Sequence, residues 1–290
     1  MSGRIVLGTA QFGMPYGIAN RTGVVDRLEI AKILEHAWRE GVDTLDTAAA
    51  YGDSERRLGE AGVQRWRIIS KVPAVPASEP DAGAWVRGSI ADSLRLTGMP
   101  SLYGMLLHQP SQLLEPKGDA LYRAMLEARD RGEVRKIGVS IYAPEDLDAL
   151  APEFDFDLVQ GPMNVFDRRL AKSGWLAKLR ASGVEIHIRS IFLQGLLLMD
   201  AAKRPVQFDS WRQLWDGWDR WLDEQSLTPM QACVGFGFSQ REVDGIVVGV
   251  DSLHQLQEIL SSAKSSSVPP PDHLQSDDPD LINPSRWSRH

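Results

Sequence analysis

Four titratable side chains of this sequence could do chemistry together: Asp46, Tyr51, Lys71 and His108. Asp46 stands in VDTLDTAAAYG with Tyr51 five residues beyond it, Lys71 closes WRIISK, and His108 closes LYGMLLH. A carboxylate, a phenol, an ammonium and an imidazole in one site can hold a proton, pass it on, and stabilise charge on an oxygen. Each has an ordinary explanation taken singly: a turn aspartate, a packing tyrosine, a solvated lysine, a structural histidine. Their weight comes from placement. Asp46, Lys71 and His108 each end one of three consecutive predicted strands, with Tyr51 in the loop after the first, so all four converge on one quadrant of a rim.

The elements that would position them follow from hydrophobic periodicity. Short Val/Ile/Leu runs alternate with amphipathic stretches along nearly the whole chain. The predicted strands are 4–8, 42–47, 66–71, 102–108, 134–140, 156–162, 184–191 and 245–250. Helices lie between them, among them one from the Asp26 N-cap to Gly41, one over 81–97, one over 208–225, and one opening at Thr228-Pro229. Strands apolar on both faces belong to a sheet covered on both sides. Eight β/α units over about 250 residues is the size of a (β/α)8 barrel, the fold class expected here, which gathers functional groups at the C-terminal ends of its strands. A doubly wound open sheet is the alternative, but LGTAQFG after the first strand lacks the G-x-G-x-x-G dinucleotide pattern. A single domain is expected over residues 1–263, followed by a Ser/Pro/Asp-rich tail over 264–290 that docks through Leu281, Ile282 and Trp287, with the pocket as one place to dock.

Composition narrows the function classes. Of 290 residues, 43% are hydrophobic and 24% charged, an ordinary globular balance, and 32 Lys plus Arg against 39 Asp plus Glu leave a formal charge of −7. That argues against a nucleic-acid or anionic-membrane partner. The lone Cys233 excludes an internal disulfide framework or a cysteine metal cluster, and a metal site is not expected. No run approaches the roughly 18 apolar residues of a membrane span, and the first ten residues do not form a signal peptide, so a cytoplasmic protein is expected. Only about three residues precede the first strand, so an N-terminal hairpin plug is not expected.

The pattern LGTAQFG…VDTLDTAAAYGDSERRLGE…ISK…LLHQP resembles the aldo-keto reductases, nicotinamide-dependent oxidoreductases built on a (β/α)8 barrel. The resemblance spans about residues 4–262, and the opening LGTAQFGMPYGIAN is similar to bacterial members associated with surface-polysaccharide sugar metabolism. It implies that Asp46, Tyr51, Lys71 and His108 are catalytic, and that the substrate is an aldehyde or ketone, sugar-like for instance. Physics supports the roles. Hydride added to a carbonyl carbon leaves charge on oxygen, which needs a donor, and Tyr51 is the expected general acid. Bringing a free phenol from about 10 down to about 7 takes about 4 kcal/mol. One ammonium about 4 Å away supplies that order at an effective dielectric near 20. Lys71 is expected to supply it, with Asp46 holding Lys71 charged and His108 orienting the carbonyl.

The resemblance also implies a cofactor set. Gly8, Thr9 and Ala10 would lie beneath the nicotinamide, with Asp46 beside them. Ser140 and Gln160 would bond its carboxamide. Ser190, Leu193 and Gly195 would wrap the pyrophosphate, and Gly249, Asp251 and Ser252 would open onto the last helix, whose N-terminus can take an anionic group. Three positions depart from the family. Ile141 removes one carboxamide partner, Arg189 stands where many relatives stack a tyrosine on the ring, and no Lys or Arg occurs from Val250 to Ala263 to hold a 2′-phosphate. The family prior is NADP; Asp251 at that rim favours NAD. Two other functions fit a barrel: a nucleotide-binding redox sensor with little turnover, and an aldolase using Lys71 for a Schiff base, against which the adjacent tetrad argues.

Trp211, Trp215, Trp218 and Trp221 recur at spacings of 3 and 4, which reads first as a packing stripe and second as a pocket wall or partner surface. Cys233 reads as a buried helix residue. Pocket candidates are Phe12, Met14, Tyr16, the segment 109–117, the helix over 208–225, and Trp287.

Overall fold

The structure, a computed structural model, describes residues 2–265 and 267–287. Eight parallel strands close into a barrel in chain order: β1 (Ile5–Gly8), β2 (Thr44–Asp46), β3 (Arg67–Val72), β4 (Leu102–Leu107), β5 (Val134–Ser140), β6 (Leu158–Pro162), β7 (Glu185–Arg189) and β8 (Gly245–Gly249). β8 returns to β1, pairing Gly8 with Gly249, so no edge strand is left open. Among the described residues, no helix is long and apolar enough to cross a membrane.

The eight predicted strands and the helices between them are all present. Helix starts are set where the sequence places short polar side chains: Asp26 accepts from the Leu28 and Glu29 amides, Asp81 from Ala84, and Thr228 forms a capping box with Gln231. Alternation along the strands divides the apolar residues in two. One large cluster lies between sheet and helices, and a separate small one, Ile69, Leu106 and Leu158, fills the barrel interior. Successive strand side chains alternate faces, so the residues two further along β3, β4 and β6 also point inward, at the C-terminal mouth. Those residues are Lys71, His108 and Gln160.

The tryptophan stripe packs as core. Trp215, Trp218 and Trp221 of the helix Arg212–Gln225 are buried, with Phe166 4.9 Å from Trp215 between ring centroids. The chain beyond the last helix also covers apolar surface: Leu274, Leu281 and Ile282 are buried, and Trp287 meets Phe208 edge-on at 4.9 Å. Cys233 is buried, and burial pushes its thiol up. Ser266 and the last three residues of the expected tail lie outside the described residues.

Candidate active site

The inward parity of β2 and β3 brings Asp46 and Lys71 together at the mouth. The Lys71 ammonium lies 2.6 Å from Asp46 Oδ1, 2.9 Å from the Thr47 carbonyl and 3.5 Å from the Tyr51 hydroxyl, which uses all three of its donors. Asp46 Oδ2 accepts from Gln160 Nε2 at 2.7 Å, and Gln160 Oε1 accepts from the Ser140 hydroxyl at 3.4 Å. Both partners of the ion pair are buried, and an ion pair at such depth is tolerable only when its remaining polar valences are met, as they are here. Ser140 and Gln160, expected to bond a carboxamide, are thus engaged with each other and with Asp46.

A chain of hydroxyls fixes the backbone behind this pair. Thr47 donates to Ser54 at 3.2 Å, Ser54 to the Thr9 carbonyl at 2.9 Å, and Thr9 to the Asp46 carbonyl at 3.0 Å. Tyr51 itself is placed by two glycines. A Cβ on Gly13 would lie 1.8 Å from the Tyr51 carbonyl oxygen, and one on Gly52, at φ +56°, would lie 2.5 Å from the Gly13 carbonyl oxygen. The short helical turn Ala10–Gly13 therefore packs backbone to backbone against the Tyr51 loop. The His108 ring meets the Tyr51 ring edge-on, with centroids 5.9 Å apart.

Burial pushes the Tyr51 phenol well above its ordinary 10, Asp46 adds to the rise, and Arg189 is the cation that pulls it down. Lys71, 3.5 Å from the hydroxyl, is itself paired with Asp46 at 2.6 Å, which offsets part of its charge. Burial also lowers Lys71, opposed by Asp46. Tyr51 therefore stays protonated at neutral pH and is stocked as a donor.

His108 is held down to about 4, first by burial and then by the Lys71 and Arg189 charges. The unfolded chain, with an ordinary imidazole near 6.5, binds the extra proton between those values. Its contribution to stability is therefore present above pH 6.5 and lost as pH falls toward 4. Between pH 7 and pH 5 this amounts to about 2 kcal/mol. Denaturant melts at both pH values should show wild type losing about that much more than His108→Gln; equal losses in the two would show that the imidazole is not held neutral.

Above the ion pair opens a cavity bounded by the loops after β1, β2, β7 and β8. Of the residues singled out from sequence, Gly8, Thr9, Ala10, Asp46, Tyr51, Arg189, Ser190, Gly195, Gly249 and Asp251 line it. Lys71, Ser140 and Gln160 lie buried beside it, Leu193 is buried in its loop, and Ser252 caps the helix Leu253–Ser262 by accepting from Gln255. Tyr16 lines the cavity, whereas Phe12 is wholly core. The loop after β7 curls around it with Ser190, Leu193 and Gln194 at φ of 61°, 48° and 54°. Asn164 ties this loop down by donating to the Ser190 carbonyl at 3.2 Å. Gln11, Asn20, Gln194 and Gln255 complete the polar wall and were not anticipated, since isolated neutral amides carry no spacing signal.

With this geometry, comparison with known proteins is decisive. The profile of the Aldo/keto reductase family matches residues 4–272. The chain belongs to the aldo/keto reductase family. A curated relative, the D-threo-aldose 1-dehydrogenase of a Pseudomonas species, is 25% identical over 293 residues, covering 87% of this chain and 89% of that one. Two solved structures share the fold. An aldo-keto reductase of Bacillus halodurans superposes with a TM-score of 0.73 at 17% identity, covering 91% of this chain and 88% of that one. The glycerol dehydrogenase of Gluconobacter oxydans gives 0.70 at 20%, covering 91% and 87%.

As an aldo/keto reductase, the chain is an NAD(P)H-dependent oxidoreductase with a small-molecule carbonyl substrate. The cavity fits a nicotinamide dinucleotide in kind. Gly8–Ala10, Gly195 and Gly249 line it with hydroxyl and amide groups and the apolar Val247 and Ile259, the space over Gly249 being held by the Gln11 side chain and that over Gly195 by Ala19. At the far rim this aldo/keto reductase carries carboxylates. Asp251 accepts from Asn20 at 3.2 Å, and the Leu253 amide at the start of the last helix donates to Glu29 Oε1 at 2.7 Å. That amide holds Glu29 below the usual carboxylate range, while burial raises Asp251. One amide of the helix N-terminus expected to take an anionic group thus already meets a carboxylate from elsewhere in the chain.

Proposed function

We propose that this chain catalyses reversible hydride transfer between a nicotinamide nucleotide and the carbonyl carbon of an aldehyde or ketone, with Tyr51 as general acid and base. The observation that carries this reading is the buried Lys71–Asp46 pair, whose ammonium lies 3.5 Å from the Tyr51 hydroxyl at the floor of the cavity. When bound, the nucleotide supplies or accepts the hydride. The chain's own groups do the rest. Tyr51 donates its proton as charge develops on the substrate oxygen, and the phenolate so formed is stabilised by Lys71. Asp46 keeps Lys71 in place, and neutral His108 borders the substrate oxygen without competing for the proton. Gly8–Ala10, Ser190–Gly195 and Gly249 would hold the nucleotide.

The hydroxyl and amide groups of Gln11, Tyr16, Ser190 and Gln194 suit a hydroxylated, sugar-like substrate, in keeping with the name of the Pseudomonas relative. Titrations with NADH and NADPH followed by a panel of aldoses, simple aldehydes and alcohols test the reading. No binding of either nucleotide would overturn it.

The rim favours NAD(H). A 2′-phosphate placed near Asp251 and Glu29 would meet two carboxylates where it needs a cation. Asp251→Arg is expected to raise NADPH affinity relative to NADH at least tenfold, about 1.4 kcal/mol. An unchanged ratio by calorimetry would place Asp251 away from the ribose.

A further inference from the structure

We infer that Arg189 makes this site hold the reduced nicotinamide nucleotide more tightly than the oxidised one, an inference that rests on the nucleotide reading above. The two forms of the nucleotide have the same phosphates, riboses and adenine. They differ at the ring, which is neutral when reduced and carries one positive charge when oxidised. Any preference between them therefore reports the charge that the protein places around the ring.

That charge is positive. The ring must reach a carbonyl carbon whose oxygen bonds Tyr51, so it lies in the cavity that Tyr51 and Arg189 both line. Lys71 is paired with Asp46 at 2.6 Å, which offsets its charge toward the ring. Arg189 is not cancelled. Its guanidinium donates to the Ile141 carbonyl at 2.8 Å and to the Ser190 hydroxyl at 3.3 Å, and it lies 5.1 Å from the Tyr142 ring centroid. All three partners are neutral, and no carboxylate among the described residues forms an ion pair with it. Asp251, the other carboxylate on the cavity wall, keeps its charge but forms no ion pair with Arg189; it accepts from Asn20 at the rim. Arg189 acts on the groups at the bottom of the cavity, being a cause of the lowering of His108 and Lys71 and opposing the rise of Tyr51.

A fixed cation in a partly water-excluded cavity disfavours a pyridinium and leaves the neutral dihydropyridine untouched. With a nucleotide bound, the same charge would favour reduced ring with carbonyl over oxidised ring with alcohol, a Tyr51 phenolate being the group that would take the alcohol proton, and oxidised nucleotide would dissociate more readily. The site is then biased in binding toward the reduced form and in its internal equilibrium toward alcohol oxidation.

Calorimetric Kd values for NADH and NAD+ (and for the 2′-phosphorylated pair) measured on the full chain test this. Wild type should bind the reduced form at least about tenfold more tightly. Arg189→Gln should bring the ratio close to one, chiefly by tightening NAD+, and Arg189→Lys, which keeps the charge, should preserve most of it. Equal affinities in wild type, or a ratio unmoved by Arg189→Gln, would overturn the inference while leaving the oxidoreductase reading intact. Failure of both forms to bind would overturn that reading and this inference with it.

Discussion

Tyr51→Phe should lower kcat by about 10³-fold while leaving nucleotide affinity within a few-fold of wild type. The hydroxyl is protonated at neutral pH and lines the cavity beside Lys71, and a positioned proton donor contributes typically about 10² to 10⁴ in rate. The substitution removes one oxygen and keeps the ring, so the edge-on contact with His108 and the packing of the loop against Gly13 survive. Single-turnover rates with reduced nucleotide, read beside the nucleotide Kd, separate the two effects. Full retention of activity would remove Tyr51 from the proton pathway. A collapse of nucleotide binding would instead mean that the hydroxyl serves the ground-state complex.

Lys71→Met should be the most damaging single change to stability. It leaves the Asp46 carboxylate buried with no counter-charge, a situation that typically costs about 3–5 kcal/mol. Asp46 would respond by taking up a proton on the Oδ1 that loses the ammonium, while Oδ2 keeps accepting from the Gln160 amide at 2.7 Å. Two measurements distinguish a lost charge from a lost shape. Denaturant melts should show a large stability loss in Lys71→Met that is partly recovered by adding Asp46→Asn, because the amide has no charge to strand. Activity should not recover, since neither variant stabilises a phenolate on Tyr51. If the second substitution restored no stability, the pair would not be coupled as its geometry implies.

The fold and most of the catalytic floor are readable without coordinates, for the same reason. A strand alternates its faces with a period of two, so once Ile69, Leu106 and Leu158 are interior, the parity of Lys71, His108 and Gln160 is no longer free. Strand ends and helix caps are local and carry local signals, as at Asp26 and Thr228. The missed features are contacts between segments far apart in sequence. Gly13 and Gly52 read as loop glycines, and only the docked loops reveal that any side chain there would collide with backbone. Glu29 reads as an exposed helix residue, yet its carboxylate reaches the amide of Leu253, 224 positions away.

The charge balance divides in the same way. Sequence alone determined the barrel, the four titratable groups at its mouth, and the lack of any Lys or Arg from Val250 to Ala263. It also gave every reason to expect that Lys71 would lower Tyr51. Tertiary structure decided the field around it, because an ionisable group responds to the net field and the solvent left around it rather than to a single neighbour. Asp46 offsets part of the Lys71 charge, burial raises the phenol, and Arg189, with neutral partners, opposes that rise.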